Sequence, residues 1–363
     1  MSTKFQKVMR DVAATLKSVY NAHSAVLLPG SGTFAMEAAA RHFGAKRKCL
    51  VIRNGYFSYR WSQIFEAGSL PAKEIVLKAR PVERGSMPMY APPPLEEVIA
   101  AIEDECPNTV FAPHVETSSG IMLPDEYIQA VAEAVHNIGG LLVLDCIASG
   151  CIWVDMQRLG VDVLISAPQK GWSGPASSGI VLLSKLARAH LDSSSTDSFA
   201  LDLRKWAAVM EAYQNGGHMY HTTMPTDAIT RFRDVQQELA AYGFERARRE
   251  QLELGDMVRN MLKRHGYKSV AADGFAAPGV VVAYTQDPDL KSGAKFAALG
   301  IQIAAGVPLM VDHFTQSAAF QTFRLGLFGI DKLRSIPSTA AQLERAICEI
   351  HDATTPVATS ARL

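Results

Sequence analysis

Short, uninterrupted apolar runs alternate with longer amphipathic stretches over the first half of the chain, and this alternation restricts the possible folds more than any other feature. Such apolar runs are typical of strands that are buried on both faces, as in a parallel sheet covered by helices. We therefore predict an α/β fold with a mostly parallel sheet flanked by helices. The predicted strands are residues 24–28, 48–53, 109–112, 141–145, 161–166 and 179–183, and the predicted helices between them are residues 33–42, 57–67 and 125–137.

The pattern changes in the second half of the chain, where residues 198–265 show only helical periodicity. A long helix near 240–265 is expected to end at Gly266, because glycine commonly follows the last turn of a helix. The 363 residues suffice for two domains, and we predict a large α/β domain at 1–238 and a smaller C-terminal α+β domain at 239–363. The smaller domain has predicted strands at 279–284 and 322–325 and predicted helices at 289–298 and 339–350, after the linking helix.

Charge and composition argue against several classes of protein. Acidic and basic residues balance at 36 each and form no basic stripe, so we expect no nucleic-acid partner. No apolar run approaches the roughly 18 residues of a membrane span. The five cysteines are odd in number and none has CxxC spacing, which argues against a disulfide framework and favours a reducing cytoplasm. The spacing of His114, His218 and His221 fits no metal motif, so no metal site is predicted.

Lys170 is the strongest candidate for chemistry, in the segment SAPQKGW directly after the predicted strand 161–166. Active sites of α/β sheets lie at the carboxyl ends of the strands. A lysine that is removed from water there has a lowered pKa, which makes its amine a nucleophile toward aldehydes. Considered alone, Lys170 has a simpler interpretation as an exposed loop residue.

Asp145 strengthens that candidate, because it ends the predicted strand 141–145, 25 residues before Lys170. A carboxylate at this point can keep the pyridine nitrogen of a cofactor protonated, so that the ring accepts electrons. Many α/β strands end in aspartate, so Asp145 alone is weak support. An aspartate-ended strand followed by a lysine-ended strand is more specific.

Three other strand ends carry suitable groups. The segment GSGT at 30–33 can bind phosphate at a helix N-terminus, although an ordinary turn capped by Ser31 or Thr33 is the alternative. Phe57 can stack on a planar ring or simply pack the start of a helix. The segment HVETSSG at 114–120 adds clustered polar groups after the strand 109–112.

Seven segments, taken in order, resemble the class-V (fold-type I) aminotransferases, which depend on pyridoxal 5'-phosphate. The pattern is most similar to the alanine–glyoxylate, serine–pyruvate and 2-aminoethylphosphonate–pyruvate transaminases. The resemblance runs from about residue 5 to the C-terminus. It implies ping-pong amino transfer from a small amino acid, of the alanine or serine type, to glyoxylate or pyruvate, in a cytoplasmic homodimer with shared active sites. The segments are GSGT, NGYF, HVETSSG, LDCIAS, SAPQKGWSGP, YHTTMP and FRLGLFG.

The resemblance also implies roles for individual residues. Lys170 is expected to form a Schiff base with the cofactor and later to carry a proton between the substrate Cα and the cofactor. Asp145 is expected to pair with the pyridinium nitrogen, while Ile147 and Phe57 cover the two faces of the ring. Arg324 is expected to bind the substrate carboxylate, although the residues alone favour an internal salt bridge. Phosphate contacts are implied for Ser31, Gly32, Thr33 and Gln169 and, from the neighbouring subunit, for Tyr220 and Thr223, while Ser118 or Thr117 is expected to reach the ring hydroxyl.

The chain departs from the family pattern at two points. Some tens of residues usually precede the helix that begins this chain, including a Gly-Pro-rich segment that borders the substrate pocket. Either the chain is truncated, its start is misassigned or its pocket is built differently, so the motifs alone do not define its substrate specificity. The glycine that follows the stacking aromatic in the family is Ser58 here, whereas Arg60 matches.

Three other functions remain open at this stage. A 2-aminoethylphosphonate–pyruvate transaminase is the second choice after a small amino acid donor, because the guanidinium of Arg324 binds phosphonate as it binds carboxylate. A lyase of the same fold would need no added oxo acid, whereas a transaminase requires one. A non-catalytic cofactor-binding protein would be expected to lack Lys170 or Arg324, and both are present.

Overall fold

A computed structural model describes residues 2–354 of the chain, and the following elements belong to that range. The strands are β1 (Ser24–Pro29), β2 (Lys48–Arg53), β3 (Lys73–Lys78), β4 (Arg80–Pro81), β5 (Tyr90–Ala91), β6 (Thr109–Pro113), β7 (Val115–Glu116), β8 (Ile121–Met122), β9 (Leu141–Asp145), β10 (Val163–Ser166), β11 (Ser178–Leu183), β12 (Val280–Tyr284), β13 (Ala304–Ala305) and β14 (Thr322–Gly326).

The helices of the same range surround these strands and occupy most of the chain between them. They are α1 (Thr3–Tyr20), α2 (Gly32–Phe43), α3 (Tyr56–Gly68), α4 (Leu95–Glu105), α5 (Asp125–Asn137), α6 (Met156–Leu159), α7 (Lys185–Ser193), α8 (Leu203–Gln214), α9 (Thr226–Tyr242), α10 (Phe244–Arg264), α11 (Pro288–Ser292), α12 (Ala294–Ala298), α13 (His313–Gln316), α14 (Ile330–Leu333) and α15 (Ile336–Thr354).

A seven-stranded sheet forms the centre of the molecule, in the order β1-β11-β10-β9-β6-β2-β3. Five neighbouring strands, from β10 to β3, are parallel. β11 is antiparallel to both of its neighbours, so β1 runs in the same direction as the five parallel strands. The carboxyl ends of β1, β2, β6, β9 and β10 therefore lie at one edge of the sheet. The prediction of a mostly parallel sheet flanked by helices is confirmed.

Burial explains why six strands of the central sheet were predicted and the edge strand β3 was not. Every residue of β6, β9, β10 and β11 is buried, as their continuous apolar sequences require. The edge strand β3 was not predicted, because its sequence KEIVLK mixes charged and apolar residues and its side chains are only partly buried. Helices cover the sheet, with α3 packed on β2, α5 on β9, and α1 on β1 and α8.

Glycines correct two of the predicted helices. The helix predicted near 240–265 begins at Phe244, because Gly243 has a φ of +101° and separates α10 from α9. The single helix predicted at 289–298 is two short helices that are divided at Gly293, which has a φ of +85°. A φ in this range leaves the right-handed helical region and favours glycine. The strand predicted at 161–166 begins at Val163, since the Val161 amide donates to Met156 O.

A smaller antiparallel sheet, in the order β12-β14-β13, lies in the C-terminal part of the chain. It has its own apolar cluster, which includes Val282, Tyr284 and Phe320. Tyr90, from β5, joins this cluster and exchanges backbone hydrogen bonds with Val270 and Ala272. The division of the chain at residues 238 and 239 stays a prediction. None of the helices in the described range is long and apolar enough to cross a membrane.

Candidate active site

A cavity of about 410 Å³ lies at the carboxyl edge of the central sheet, where the small antiparallel sheet covers it. This volume is in the usual range for a small-molecule site. Its lining is apolar apart from a few convergent polar and charged groups. The lining residues are Ser31, Gly32, Thr33, Met36, Phe57, Arg60, Val115, Thr117, Asp145, Ile147, Ala148, Gln169, Lys170, Val280, Ala304, Arg324, Gly326 and Phe328.

Lys170 reaches this cavity from the turn that follows β10. The turn is held closely, because a Cβ on Gly171 would lie only 2.0 Å from Gly150 O. Burial lowers the pKa of the Lys170 amine, and the nearby charge of Arg324 lowers it further. The Nζ atom lies 5.9 Å from the centre of the Phe328 ring, and no carboxylate of residues 2–354 forms an ion pair with it. Lys170 is therefore poised as a partly desolvated amine.

Asp145 lies at the end of β9 and is almost completely buried, with 8% of its surface exposed. Its Oδ1 atom accepts a hydrogen bond from the Ile147 amide at 2.9 Å, and no side-chain cation of the described range pairs with it. Burial raises the pKa of Asp145 to about 7, and the charge of Glu116 acts in the same direction. A buried carboxylate without a cationic partner is costly unless a ligand supplies one.

The N-terminus of α2 forms a concave anion-binding element beside these residues. Ser31 is the N-cap, but its hydroxyl makes no capping hydrogen bond. The Thr33 hydroxyl accepts a hydrogen bond from Arg60 Nη1 at 3.1 Å. A Cβ on Gly32 would lie 2.4 Å from Ile147 Cδ1, so the two residues are in close contact and a larger residue at 32 requires the Ile147 side chain to move. The free amides of a helix N-terminus and an arginine together suit a phosphate group.

Arg324 projects from β14 of the small sheet into the same cavity. Its Nε atom donates to Ala305 O at 2.8 Å and its Nη1 atom donates to Thr117 O at 3.4 Å. Both acceptors are neutral carbonyls, and no carboxylate pairs with Arg324 within residues 2–354. The internal salt bridge that the residues alone favoured is therefore not formed there. Burial lowers the pKa of Arg324 and the charge of Glu116 opposes that shift.

The Phe57 ring lies close to both arginines of the cavity. The guanidinium carbon of Arg60 is 5.2 Å from the centre of the Phe57 ring, and that of Arg324 is 5.6 Å from it. Such distances allow cation–π attraction. The Phe57 ring, which forms the aromatic wall of the cavity, therefore interacts with both guanidinium groups.

The structure brings most of the predicted site residues together. Of the two alternatives for the ring hydroxyl, Thr117 lines the cavity, whereas Ser118 is buried behind it with its hydroxyl donating to Glu116. The buried Oε1 atom of Gln169 has no hydrogen-bond partner. Tyr220 and Thr223 lie outside the cavity and are exposed. The predicted residues that line the cavity are Ser31, Gly32, Thr33, Phe57, Asp145, Ile147, Gln169, Lys170 and Arg324.

Several lining residues were not among the predicted site residues. Arg60 lies three residues after Phe57 on α3, a spacing that puts both on one helix face and was readable from the sequence. Phe328 stands within the FRLGLFG segment but carries no chemical signal of its own. Ala304 and Val280 come from other strands of the small sheet, and their proximity depends on tertiary structure alone.

Pyridoxal phosphate, the cofactor that the resemblance implies, fits these unsatisfied groups. The negative phosphate matches the N-terminus of α2 together with Thr33 and Arg60. The basic ring nitrogen matches the unpaired Asp145 carboxylate. The aldehyde matches the Lys170 amine, and each of these groups lacks a charged partner in the described range.

Comparisons with known proteins agree with the geometry. The model of the family Aminotransferase class-V matches residues 1–306. The 2-aminoethylphosphonate–pyruvate transaminase 2 of Paraburkholderia xenovorans is 28% identical over 358 residues, covering 94% of this chain and 88% of the relative. The alanine–glyoxylate aminotransferase 1 of Saccharomyces cerevisiae is 25% identical over 323 residues, covering 84% and 79%.

A solved structure shows the same fold. The alanine–glyoxylate aminotransferase of a Nostoc species has a TM-score of 0.80 to this chain at 21% identity, covering 96% of this chain and 88% of the other. The family match extends over most of the chain, and the cavity has a lysine and an aspartate at neighbouring strand ends. The chain belongs to the class-V aminotransferases and is a pyridoxal-phosphate-dependent transaminase.

Proposed function

We propose that this transaminase moves an amino group from a small amino acid, of the alanine or serine type, to glyoxylate or pyruvate in a ping-pong reaction. The observation that carries the proposal is Arg324, a partly buried guanidinium without a carboxylate partner in the described range, in the same cavity as Lys170. A planar guanidinium binds a carboxylate through two parallel hydrogen bonds. The volume of about 410 Å³ must hold the cofactor as well, so it favours a small substrate.

Ser31, Gly32, Thr33 and Gln169 would hold the phosphate of the cofactor, and Asp145 would hold its protonated ring nitrogen. Phe57 and Ile147 would cover the two faces of the ring. Thr117, the one of the two predicted alternatives that lines the cavity, would reach the ring hydroxyl. When bound, pyridoxal phosphate supplies an electron sink for bonds that break at the substrate Cα.

Lys170 is the group proposed to move the proton. Because burial and Arg324 lower the pKa of its amine, a larger fraction of the amine is neutral near pH 7 than for an exposed lysine. A neutral amine would take a proton from the substrate Cα onto Nζ, and the resulting ammonium would give that proton to the former aldehyde carbon of the cofactor, which restores the neutral amine. Arg324 orients the substrate so that its Cα–H bond faces the Lys170 Nζ atom.

A 2-aminoethylphosphonate–pyruvate transaminase is the second candidate. It is favoured by the relative of that name, which is 28% identical over 358 residues. Arg324 suits a phosphonate as well as a carboxylate, because both are anions with several acceptor oxygens. The longer distance from amine to phosphonate would place the anion differently against Arg324.

The visible absorption of the purified holoenzyme tests these proposals. Addition of L-alanine, L-serine or 2-aminoethylphosphonate without an oxo acid is expected to remove the band of the lysine-bound cofactor for the true donor. Subsequent glyoxylate or pyruvate is expected to restore the band, since each half-reaction is separate. Release of a deaminated product over many turnovers without an oxo acid would instead identify a lyase and contradict the proposal.

We also propose a homodimer in which Tyr220 and Thr223 reach the phosphate of the partner's site. Tyr220 is 73% exposed and Phe199 is 74% exposed, and the ring of His221 lies 4.7 Å from that of Phe199. Large apolar side chains exposed together favour an interface.

The five cysteines are all unpaired, which supports the proposed location in the reducing cytoplasm.

Subunit complementation tests the shared site. Tyr220→Ala and Lys170→Ala homodimers are each expected to be impaired. Mixed dimers are expected to regain activity, because the site with Lys170 then receives Tyr220 from the other subunit. Mixed dimers that are no more active than the average of the two homodimers would contradict the sharing of Tyr220.

A further inference from the structure

Glu116 is a fully buried carboxylate that does not line the cavity. It ends β7, one residue before Thr117, which does line it. No lysine, arginine or histidine of residues 2–354 forms an ion pair with Glu116. A buried charge without an ionic partner must be stabilised by hydrogen-bond donors.

Two serines and the first turn of α3 supply those donors. The Oε1 atom accepts from Phe57 N at 3.2 Å, from Ser118 N at 3.1 Å and from Ser118 Oγ at 2.7 Å. The Oε2 atom accepts from Ser58 N at 2.8 Å and from Ser58 Oγ at 2.7 Å. Hydrogen bonds to an ionised acceptor are roughly twice as strong as neutral ones. Negative charge is also stabilised at the N-terminus of a helix.

Close packing adds to this attachment. A Cβ on Gly55 would lie 2.1 Å from Ser118 Oγ and 2.7 Å from Glu116 Cγ. The Ser118 hydroxyl also accepts from the Tyr56 amide at 2.9 Å. The start of α3 therefore lies directly against the segment 116–118, without room for a side chain between them.

The attachment holds the backbone from which the Phe57 ring extends. Phe57 both donates its amide to Glu116 and lines the cavity, and its ring contacts the guanidinium groups of Arg60 and Arg324. Only the backbone of Phe57 is held by Glu116, but that fixes the origin of the side chain. Loss of the attachment would leave the aromatic wall and the two arginines less well ordered.

We propose that Glu116 is a positioning residue, which holds the start of α3 so that Phe57 is fixed for the cofactor ring. Ser58, which stands where the resembled family has glycine, strengthens that hold in this chain through its hydroxyl. The inference rests on the proposed role of Phe57 in covering the ring.

The experiment uses the holoenzyme with three single variants. Glu116→Gln keeps the shape but loses the charge and half of the accepting oxygens, and Ser58→Ala removes one donor and leaves the carboxylate. Asp162→Asn is the matched control, because Asp162 is equally buried and accepts from Leu142 N, Ser184 Oγ and His136 Nε2 at the opposite edge of the sheet. Each protein is measured for the dissociation constant of pyridoxal phosphate and for the visible circular dichroism of the bound cofactor.

A positioning role predicts that Glu116→Gln raises the dissociation constant about tenfold or more and weakens the circular dichroism band. Ser58→Ala is expected to act in the same direction by about threefold. Asp162→Asn is expected to lower the stability of the fold while leaving both cofactor readouts within about twofold of wild type. Equal cofactor readouts for Glu116→Gln and Asp162→Asn would overturn the proposal.

If Glu116→Gln does not fold, Ser58→Ala decides the question, since an unchanged dissociation constant and band in that variant would equally overturn the proposal. Neither readout depends on the amino donor. A wild-type enzyme that binds the cofactor but fails with every small amino acid tested would therefore refute the proposed donor, and the inference about Glu116 would still be decided by cofactor binding.

Discussion

Two buried aspartates lie at opposite edges of the central sheet. Asp162, at the amino edge, accepts hydrogen bonds from Leu142 N at 2.9 Å, Ser184 Oγ at 3.0 Å and His136 Nε2 at 2.8 Å. Asp145, at the carboxyl edge, accepts one from the Ile147 amide, and burial raises its pKa to about 7.

The difference extends to the basic residues. At the amino edge Lys48 and Lys73 both pair with Glu105. At the carboxyl edge Lys170 and Arg324 have no carboxylate partner in the described range, and burial lowers the pKa of each. The charged groups named at the amino edge have partners within the chain, whereas those named at the carboxyl edge are left to pair with a ligand. The amino edge therefore contributes to stability and the carboxyl edge to chemistry.

The largest effect is expected for Lys170→Ala. Removal of the proton-carrying amine should lower kcat by about 10³-fold or more and abolish the visible band of the lysine-bound cofactor. Lys48→Ala, at the amino edge, is the control and should leave both unchanged. A Lys170→Ala enzyme within tenfold of wild type, measured by steady-state kinetics, would refute the role of Lys170.

Arg324→Gln should lower kcat/KM for the amino donor by about 10²- to 10³-fold, because the substrate anion loses its charged, bidentate partner. Arg324→Lys keeps the charge but loses the planar, two-pronged geometry of the guanidinium, so its kcat/KM should lie between those of the wild type and Arg324→Gln. Steady-state kinetics with several donor concentrations measures both. An unchanged kcat/KM in Arg324→Gln would mean that the anion binds elsewhere.

Asp145→Asn should make the cofactor-free protein more stable above pH 7, by on the order of 4 kcal/mol. The pKa of Asp145 is about 7 in the folded state, above its usual value near 4, so the folded chain retains a proton that the unfolded chain releases. Wild-type stability from this group is therefore lost as pH rises from about 4 to about 7. Urea unfolding at pH 5 and pH 8 checks this, and equal pH dependence of both proteins would contradict it.

Asp162→Asn should lower the free energy of unfolding by about 1–3 kcal/mol, since it disturbs a buried, satisfied network. The hydrogen bond that His136 Nε2 donates to Asp162 raises the pKa of His136, so the contribution of that pair is present at low pH and is lost as pH rises through the folded-state pKa of His136. Urea unfolding measures the loss, and kcat measured with saturating cofactor should not change. A large fall in kcat would contradict the conclusion that the amino edge contributes to stability and not to chemistry.

The sequence predicted the carboxyl edge well, because a strand that is buried on both faces has an uninterrupted apolar sequence and its next polar residue marks the strand end. Asp145 was found in this way, and Lys170 was found in the turn that follows Ser166, the polar end of β10. Arg324 was found through its motif, since its sequence neighbours give no sign that β14 lies over the sheet. Gly243 and Gly293 were missed as helix breaks, because glycine is also tolerated within helices and only the backbone conformation separates the cases.

The network around Glu116 was not predicted in detail. The polar cluster at 114–120 was visible, but all five donors to the carboxylate are serine hydroxyls or backbone amides, which any surface turn also contains. Their common direction toward one carboxylate depends on how α3 meets β7. Local patterns do not carry that information, because the residues involved are about 60 positions apart in the chain.

The contact between Gly32 and Ile147 has a consequence for how this chain can diverge. A Cβ at position 32 would lie 2.4 Å from Ile147 Cδ1, so a larger residue at 32 requires the Ile147 side chain to change rotamer or to be replaced by a smaller one. A smaller residue at 147 in turn leaves a cavity that the fold survives at moderate cost. Substitutions at positions 32 and 147 are therefore expected to be coupled, because the volume of one side chain limits the volume of the other.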